Sequence, residues 1–480
     1  MRAAFDGFFG RTRGAYAQQR SFERARHLAL ALLVCMGRRT VTGMLCAAGQ
    51  QFRDCSAYYR LFERERIDCG AMFDGVLAGA LSLLPAGAPL VGALDDTLVR
   101  KRGRCVAGAS WRRDPLGPPF ANGLAWSNRF LQVSLALPER PDGPSPARMI
   151  PVDLLHCPSP HKPGSKATEQ QCKQWREASA KAAITAKGAA RVAALRTALD
   201  AHGMSQRPLV MSADGTFTCR AVFKSLPARV VLIGRIRKDA RLYMPPTPGE
   251  ENRGRGRKRA YGQRLPTPEQ IRQDDTVPWQ QVRAHAAGKT HTFDLKEITP
   301  CLWKCAGAQR RLRLVVIRPL AYRLRATDRL NYRKPAYLIT TDLAMPLADL
   351  LQAYIWRWEI EVNFRDEKTL IGMGQAQVRT RQSIETLTPF VAATYAMLLL
   401  AQEQCGGNKH TLPLPCWQKP SPDKAQRTST GQAIRQLRYE IWHDAITSPK
   451  SDGFAAKHAR YTSPQKIETS MQSAVFYASG

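Results

Sequence analysis

The chain has 480 residues, 44% of them apolar, which is enough for a proper core and excludes wholesale disorder. Its 72 Lys and Arg against 39 Asp and Glu leave a formal net charge of +33. A surplus that large calls for a polyanion; nucleic acid is the expected one, with an anionic membrane surface or ribosomal RNA as the bland competitors. The length favours two or three domains. Twelve cysteines are scattered from Cys35 to Cys416, and only Cys301 and Cys305 lie close together. That pattern suits neither a zinc site nor a disulfide scaffold, so reduced thiols and a cytosolic protein are expected.

In chain order, "MRAAFDGFFGRTRGAYAQQR" lacks the apolar run and cleavage site of a signal peptide. "LALALLVCM" (Leu28 to Met36) is too short to span a bilayer. "VLAGALSLLPAGAPLVGAL" (Val76 to Leu94) is long enough, but Pro85, Gly87 and Pro89 would break a spanning helix. A helix ending near Leu84, a turn and then a strand fits better, and no membrane segment is expected. Residues 18 to 84 read as helical, with short helices separated at Gly37 and Gly49. Two readings stay open there. One is a helix-turn-helix-like module with Arg38, Arg39, Arg53 and Arg60 as phosphate contacts; the other is a plain helical support for the next domain.

The pattern then changes to strands. "PLVGALDD" (Pro89 to Asp96) is expected as a buried strand ending in carboxylates, followed by "RFLQVSLALP" (Arg129 to Pro138) and "ARMIPVDLL" (Ala147 to Leu155). A long Ala-rich helix closed by Gly203 comes next, then "PLVMSADG" (Pro208 to Gly215), again ending in Asp, and "RVVLIGRI" (Arg229 to Ile236). This order suggests a meander with later parallel strands added through helical crossovers. Between the third strand and the helix, His156, Cys157 and His161 tempt a metal reading. The alternative is a loop whose His161 and Lys162 face DNA or solvent.

From about Lys238 to Arg310 the order breaks: "PPTPGEENRGRGRKRAYGQRLPTPEQ" is a Pro-, Gly- and Arg-rich basic loop or arm, and around it are short strand-like pieces, "HTFDLKEI", "RLRLVVIRP" and "AYLITTD". They read as a β-rich insertion. Two long helices follow, Leu347 to about Ile371 and about Ser383 to Gln404, and then a Pro-, Lys- and Ser-rich tail with one more helix candidate, "GQAIRQLRYEIWHDAI".

The stretch "YIWRWEIEVNFRDEK" (Tyr354 to Lys368) holds four acids. On a helix of about 100° per residue, Tyr354, Arg357, Glu361 and Lys368 share an arc of roughly 60°. Glu359, Asp366 and Glu367 fall elsewhere, on what reads as a solvated or pairing face. Alone, the stripe is no more than a surface Arg-Glu pair. Its company sharpens it. Asp95 in "VGALDDT" and Asp214 in "VMSADGT" each follow an apolar strand, and strand ends open onto the crevice where α/β sheets place ligands. Three carboxylates can hold two Mg²⁺ ions about 3.5–4 Å apart, an arrangement suited to phosphodiester chemistry.

The spacing Tyr354-x2-Arg357-x3-Glu361-x6-Lys368 resembles the Y-R-E-K signature of bacterial insertion-sequence transposases of the DDE, RNase H-like superfamily. Asp95 resembles the first acid of that family and Asp214 the second. Asp96 stands where glycine is commoner, which keeps Asp96 as the alternative first ligand. The resemblance runs over roughly Val91 to Leu400.

The resemblance implies an α/β protein with an RNase H-like mixed-sheet catalytic core interrupted by a β-rich insertion. An N-terminal all-helical DNA-binding module and a helical C-terminal region complete it. The expected boundaries are 1–86 for the module, 87–237 and 336–405 for the core, 238–335 for the insertion and 406–480 for the tail. It implies that Asp95, Asp214 and Glu361 bind Mg²⁺, with Mn²⁺ as a substitute. Tyr354, Arg357 and Lys368 are expected on DNA phosphates, where Arg forks and Lys supplies a point charge. Arg253, Arg255 and Arg257 become a phosphate-tracking arm. Trp279 or Trp303 is a candidate to stack on a flipped base, with a plain core role as the alternative. The implied activity is cut-and-paste transposition: cleavage at terminal inverted repeats and joining to target double-stranded DNA. It would be carried out by a homodimer in the bacterial cytoplasm, associated with the nucleoid. A structure-specific nuclease on the same core and an inactive DNA-binding derivative are the rival readings.

Overall fold

The computed structural model describes residues 1–114, 123–247, 259–308, 310–323, 327–406 and 427–447, with 117, 120, 412, 475 and 476. Its first part is helical: α1 (Arg2–Gly10), α2 (Gln19–Val34), α3 (Val41–Ala47), α4 (Ser56–Glu63) and α5 (Cys69–Leu83). Thr40 and Asp68 start α3 and α5 by accepting hydrogen bonds from the Gly43 and Ala71 backbone N–H groups. The helices bury Phe5, Phe9, Leu28 and Phe62 against one long apolar helix, Arg381–Gln404, where Phe62 meets Phe390 edge-on. That helix is long and apolar enough to cross a membrane, but it is almost wholly buried inside the protein. The run from Val76 to Leu94 is resolved as expected: α5 ends at Leu83, Gly87 turns the chain at φ +78°, and a strand begins at Leu90.

The strands that follow are β1 (Leu90–Arg100), β2 (Ser110–Arg113), β3 (Leu124–Pro138) and β4 (Ala147–His156). After them come α6 (Glu169–Lys181), α7 (Ile184–Leu199), β5 (Leu209–Ala213), α8 (Arg220–Lys224) and β6 (Val230–Arg235). In the sheet these strands run β4-β3-β1-β5-β6; β3 is antiparallel to both β1 and β4, β5 is parallel to β1, and β6 is parallel to β5. The expected meander with parallel additions is present. A mixed sheet of this order, flanked by helices, is compatible with an RNase H-like core.

Two details differ from the sequence reading. β1 does not end at its carboxylates but runs on to Arg100, because the fifteen-residue β3 keeps supplying a hydrogen-bonding partner as far as Ser127. The Ala-rich helix is two helices, broken where Ala183 turns extended (φ −56°, ψ 133°). The break lets the polar α6 stay in solvent while α7 lies on the sheet, close enough that Leu195 packs over Gly92.

The segment expected as an insertion forms β7 (Leu242–Tyr243), α9 (Pro268–Gln273), β8 (Gln280–Ala286), β9 (Lys289–Trp303), β10 (Leu312–Ile317), β11 (Ala321–Tyr322) and β12 (Asn331–Tyr332). β13 (Ala336–Thr340) then pairs with β6, β10 with β13, and β9 with β10, so these strands extend the core sheet itself to eleven strands. The helices that close the chain are α10 (Leu347–Trp356), α11 (Glu359–Thr369), α12 (Arg381–Gln404) and α13 (Thr430–Thr447). α10 and α11 cover the sheet face that carries Val91, Ala93, Val210, Ile233 and Leu338.

Candidate active site

The parallel register of β1 and β5 ends at Leu94 opposite Ala213. The next rung is Asp95 beside Asp214. The two carboxylates, 119 positions apart in sequence, are thereby set on adjacent strands at the end of the sheet where β5 stops. Asp214 opens a tight turn: its Oδ1 accepts hydrogen bonds from the Thr216 and Phe217 backbone N–H groups at 2.9 and 3.3 Å. Asp95 Oδ1 accepts from the Asp96 backbone N–H at 2.8 Å.

Asp96 points to the other face of β1, as strand alternation requires. There Arg129 grips it with two of its nitrogens, Nε at 2.6 Å and Nη2 at 2.8 Å. Of the two neighbouring acids, Asp95 therefore faces Asp214, and Asp96 is engaged in a bidentate ion pair.

The third acid arrives on the helices. Ser212 donates to the Ala353 carbonyl at 3.0 Å and pins α10 over β5, while Asn363 donates to the Met149 carbonyl at 2.7 Å and pins α11 over β4. The continuous helix expected from Leu347 to Ile371 is in fact interrupted at Arg357 and Trp358. Both residues keep right-handed helical angles, but the hydrogen bonds tighten to the i to i+3 pattern, from Arg357 N to Tyr354 O through Glu361 N to Trp358 O. The stripe survives this junction. Arg357 Nη1 lies 3.4 Å from Asp95 Oδ2, its Nη2 lies 3.5 Å from Glu361 Oε1, and Lys368 Nζ donates to Thr97 Oγ1 at 2.6 Å. The Arg357 guanidinium carbon is 5.7 Å from the centre of the Tyr354 ring.

Burial pushes the Asp95 carboxyl up to about 7; the charge of Asp214 adds to this and Arg357 opposes it. Burial also raises Glu361, against Arg357 and together with Asp214. Burial lowers Lys368, with Glu367 opposing. Crowded carboxylate oxygens are the donor set that suits a hard divalent cation. In this conformation, among the described residues, no three acid, His or Cys side chains are closed to the spacing of a metal cage. The Arg357 guanidinium instead stands between Asp95 and Glu361.

Three acids on α11 were expected on a solvated or pairing face. Glu359 does pair, with Arg427. Asp366 is buried and accepts from Thr430 Oγ1 at 2.6 Å. Glu367 departs most: it is 0% exposed, and neither of its carboxyl oxygens meets a hydrogen-bond partner among the described residues. Burial lifts its pKa to about 8. The reason is packing on both sides, since α11 lies between β1 and β4 on one side and α12 on the other.

The remaining candidates separate. Arg38 is exposed, as are Arg53 and Arg60. Arg39 is 3% exposed, its stem packed against Gly372 and its backbone N–H bonded to Gln375, so it does not face a phosphate here. Arg253, Arg255 and Arg257 lie outside the described residues. Trp279 is half-buried with the Lys296 ammonium 4.3 Å from its ring centre, and Trp303 packs edge-on against Phe223. His156 is buried between Asn128 and Glu385, while His161 is exposed, so the loop reading of that stretch fits.

Two residues of the site were not singled out from the sequence. Thr97, two positions beyond Asp95, holds Lys368. Trp358 is 58% exposed at the helix junction, one residue after Arg357. Its helical phase, about 40° from Tyr354, places it beside the stripe and was a usable signal.

The family model described as DDE superfamily endonuclease matches residues 14–305. The match takes in Asp95 and Asp214 and stops before α10. No curated protein matches the chain.

Proposed function

The chain belongs to the DDE superfamily endonucleases, and from that membership, which implies a DNA substrate, we propose that it is a cut-and-paste transposase of the insertion-sequence, Y-R-E-K group. The observation that supports the reading is that Arg357 touches both Asp95 and Glu361, far apart in sequence, while Asp214 follows β5 on the strand next to Asp95. Asp95, Asp214 and Glu361 would hold divalent ions, Mg²⁺ or Mn²⁺, whose chemistry is to activate a water or 3′-hydroxyl and to stabilise the leaving oxygen of a phosphodiester. Arg357 and Lys368 lie beside the acids, where they can orient the phosphate of the strand to be cut. The exposed Trp358 offers a ring face next to that phosphate. We read the helices of 1–86 as the module that grips DNA away from the cut, and the acting species as a homodimer on paired transposon ends.

The test uses the full-length protein with a plasmid that carries the sequences flanking its gene. Excision of the bracketed segment with Mg²⁺, followed by joining of its 3′ ends to a second plasmid, is the expected outcome. Nicking without joining would replace the reading with a structure-specific nuclease. DNA binding without any cleavage would replace it with an inactive derivative.

A further inference from the structure

We propose that Arg357 is an internal counter-ion of the acid site, held by Asp95 and Glu361 until a DNA phosphate takes it over, so that DNA binding and divalent-metal capture are coupled. The inference rests on the reading of Asp95, Asp214 and Glu361 as metal-binding acids.

The contacts of Arg357 with the acids are few and long. It touches two carboxylates, but at 3.4 and 3.5 Å, at the loose end of ion-pair and hydrogen-bond distances. Its side chain is only 8% exposed, yet its Nε meets no hydrogen-bond partner among the described residues. A guanidinium has five donors in a fixed fork, and two long contacts leave that capacity largely unused. Arg129 on Asp96, at 2.6 and 2.8 Å, shows the short bidentate pairing that Arg357 lacks. A phosphate is the partner that a free fork fits best.

Electrostatics gives the coupling its sign. A cation that these acids would hold would share them with the guanidinium, and like charges close together in a half-buried site repel strongly. Metal entry is therefore opposed while Arg357 holds the acids. It is favoured once a phosphate has drawn Arg357 away. By reciprocity, metal then tightens DNA binding by the same factor. A nucleic-acid enzyme gains from this order, because its ions are gathered only where a phosphate is already in place.

The experiment is a Mn²⁺ titration of the full-length protein without DNA, with free Mn²⁺ counted by its electron paramagnetic resonance signal. Arg357→Gln is expected to bind Mn²⁺ about tenfold more tightly than wild type, within the range usual for coupled sites. Arg357→Met removes the same charge and carries the comparison if the glutamine variant melts early. A short DNA duplex of arbitrary sequence should tighten Mn²⁺ binding to the wild type and leave Arg357→Gln unchanged. Equal Mn²⁺ affinity in wild type and both Arg357 variants overturns the proposal if Asp95→Asn and Glu361→Gln still weaken it, and the acid reading then stands. Mn²⁺ affinity that no substitution at Asp95, Asp214 or Glu361 alters, in either background, removes the acid reading and the coupling with it.

Discussion

Replacing Glu367 by methionine should raise the stability of the protein at neutral pH and flatten its dependence on pH. The carboxyl is fully buried in α11, and its pKa is lifted from 4.5 to about 8, by burial first, with Lys368 opposing and Asp366 adding. Below pH 4.5 the folded and unfolded chains both hold this proton. Between 4.5 and about 8 the unfolded chain has released it and the folded chain keeps it, so rising pH favours unfolding. Each unit of displacement is worth about 1.4 kcal/mol, which makes the loss at most about 5 kcal/mol above pH 8 and about 3 kcal/mol at pH 7. Methionine has a similar volume and no oxygen to desolvate. The entropy of unfolding a chain of this length converts roughly 1 kcal/mol into about 1 °C. Thermal melts of the two proteins, followed by circular dichroism in steps of pH, should show the gap between them widening by about 3–5 °C from pH 5 to pH 8. The same gap at every pH would show that Glu367 releases its proton in the folded state at an ordinary pKa, and that its surroundings are wetter than the packing indicates.

Other perturbations separate stability from chemistry. Asp96→Asn removes the bidentate partner of Arg129 and should cost about 1–3 kcal/mol in a melt while metal-dependent plasmid nicking persists. Asp95→Asn should do the reverse, keeping the melting temperature and losing the nicking; if the two variants exchanged phenotypes, Asp96 would be the ligand. Lys296 is wholly buried and donates to the Ile271, Arg272 and Asp274 carbonyls at the end of α9. Lys296→Met leaves those carbonyls unpaired and should cost roughly 1–3 kcal/mol, a loss that an unshifted melting curve would contradict.

Much of this architecture was legible before folding. Apolar runs marked β1, β3 to β6, β9, β10 and β13, because a buried strand needs continuous apolar sequence and turns need Gly and Pro. The exit from α5 at Leu83 followed from Pro85 and Gly87. The four-residue spacing along Tyr354 to Lys368 singled out Glu361, since helical phase is a local property and survived even the tightened turn at Arg357. Trp358 shares that phase, and its exposure at the helix junction is what the fold adds.

Residue order carries the local features: which segments are strand or helix, which residues share a face, and which acids follow apolar runs. What each face meets depends on the folded chain. Strand alternation puts Asp95 and Asp96 on opposite sides of β1, but the seating of α10 and α11 over one side and of Arg129 on the other makes them different. Arg39 and Glu367 read as surface charges and are buried, because the loop after α11 and the helix α12 arrive from far along the chain. That β9 and β10 join the core sheet was not readable locally: β13 pairs with the edge of β6, and its other edge takes β10 and then β9. Periodicity records the geometry within one element. The partners of its faces are set by contacts hundreds of residues apart, and those contacts decide which charges pair, which stay buried and which remain open to DNA.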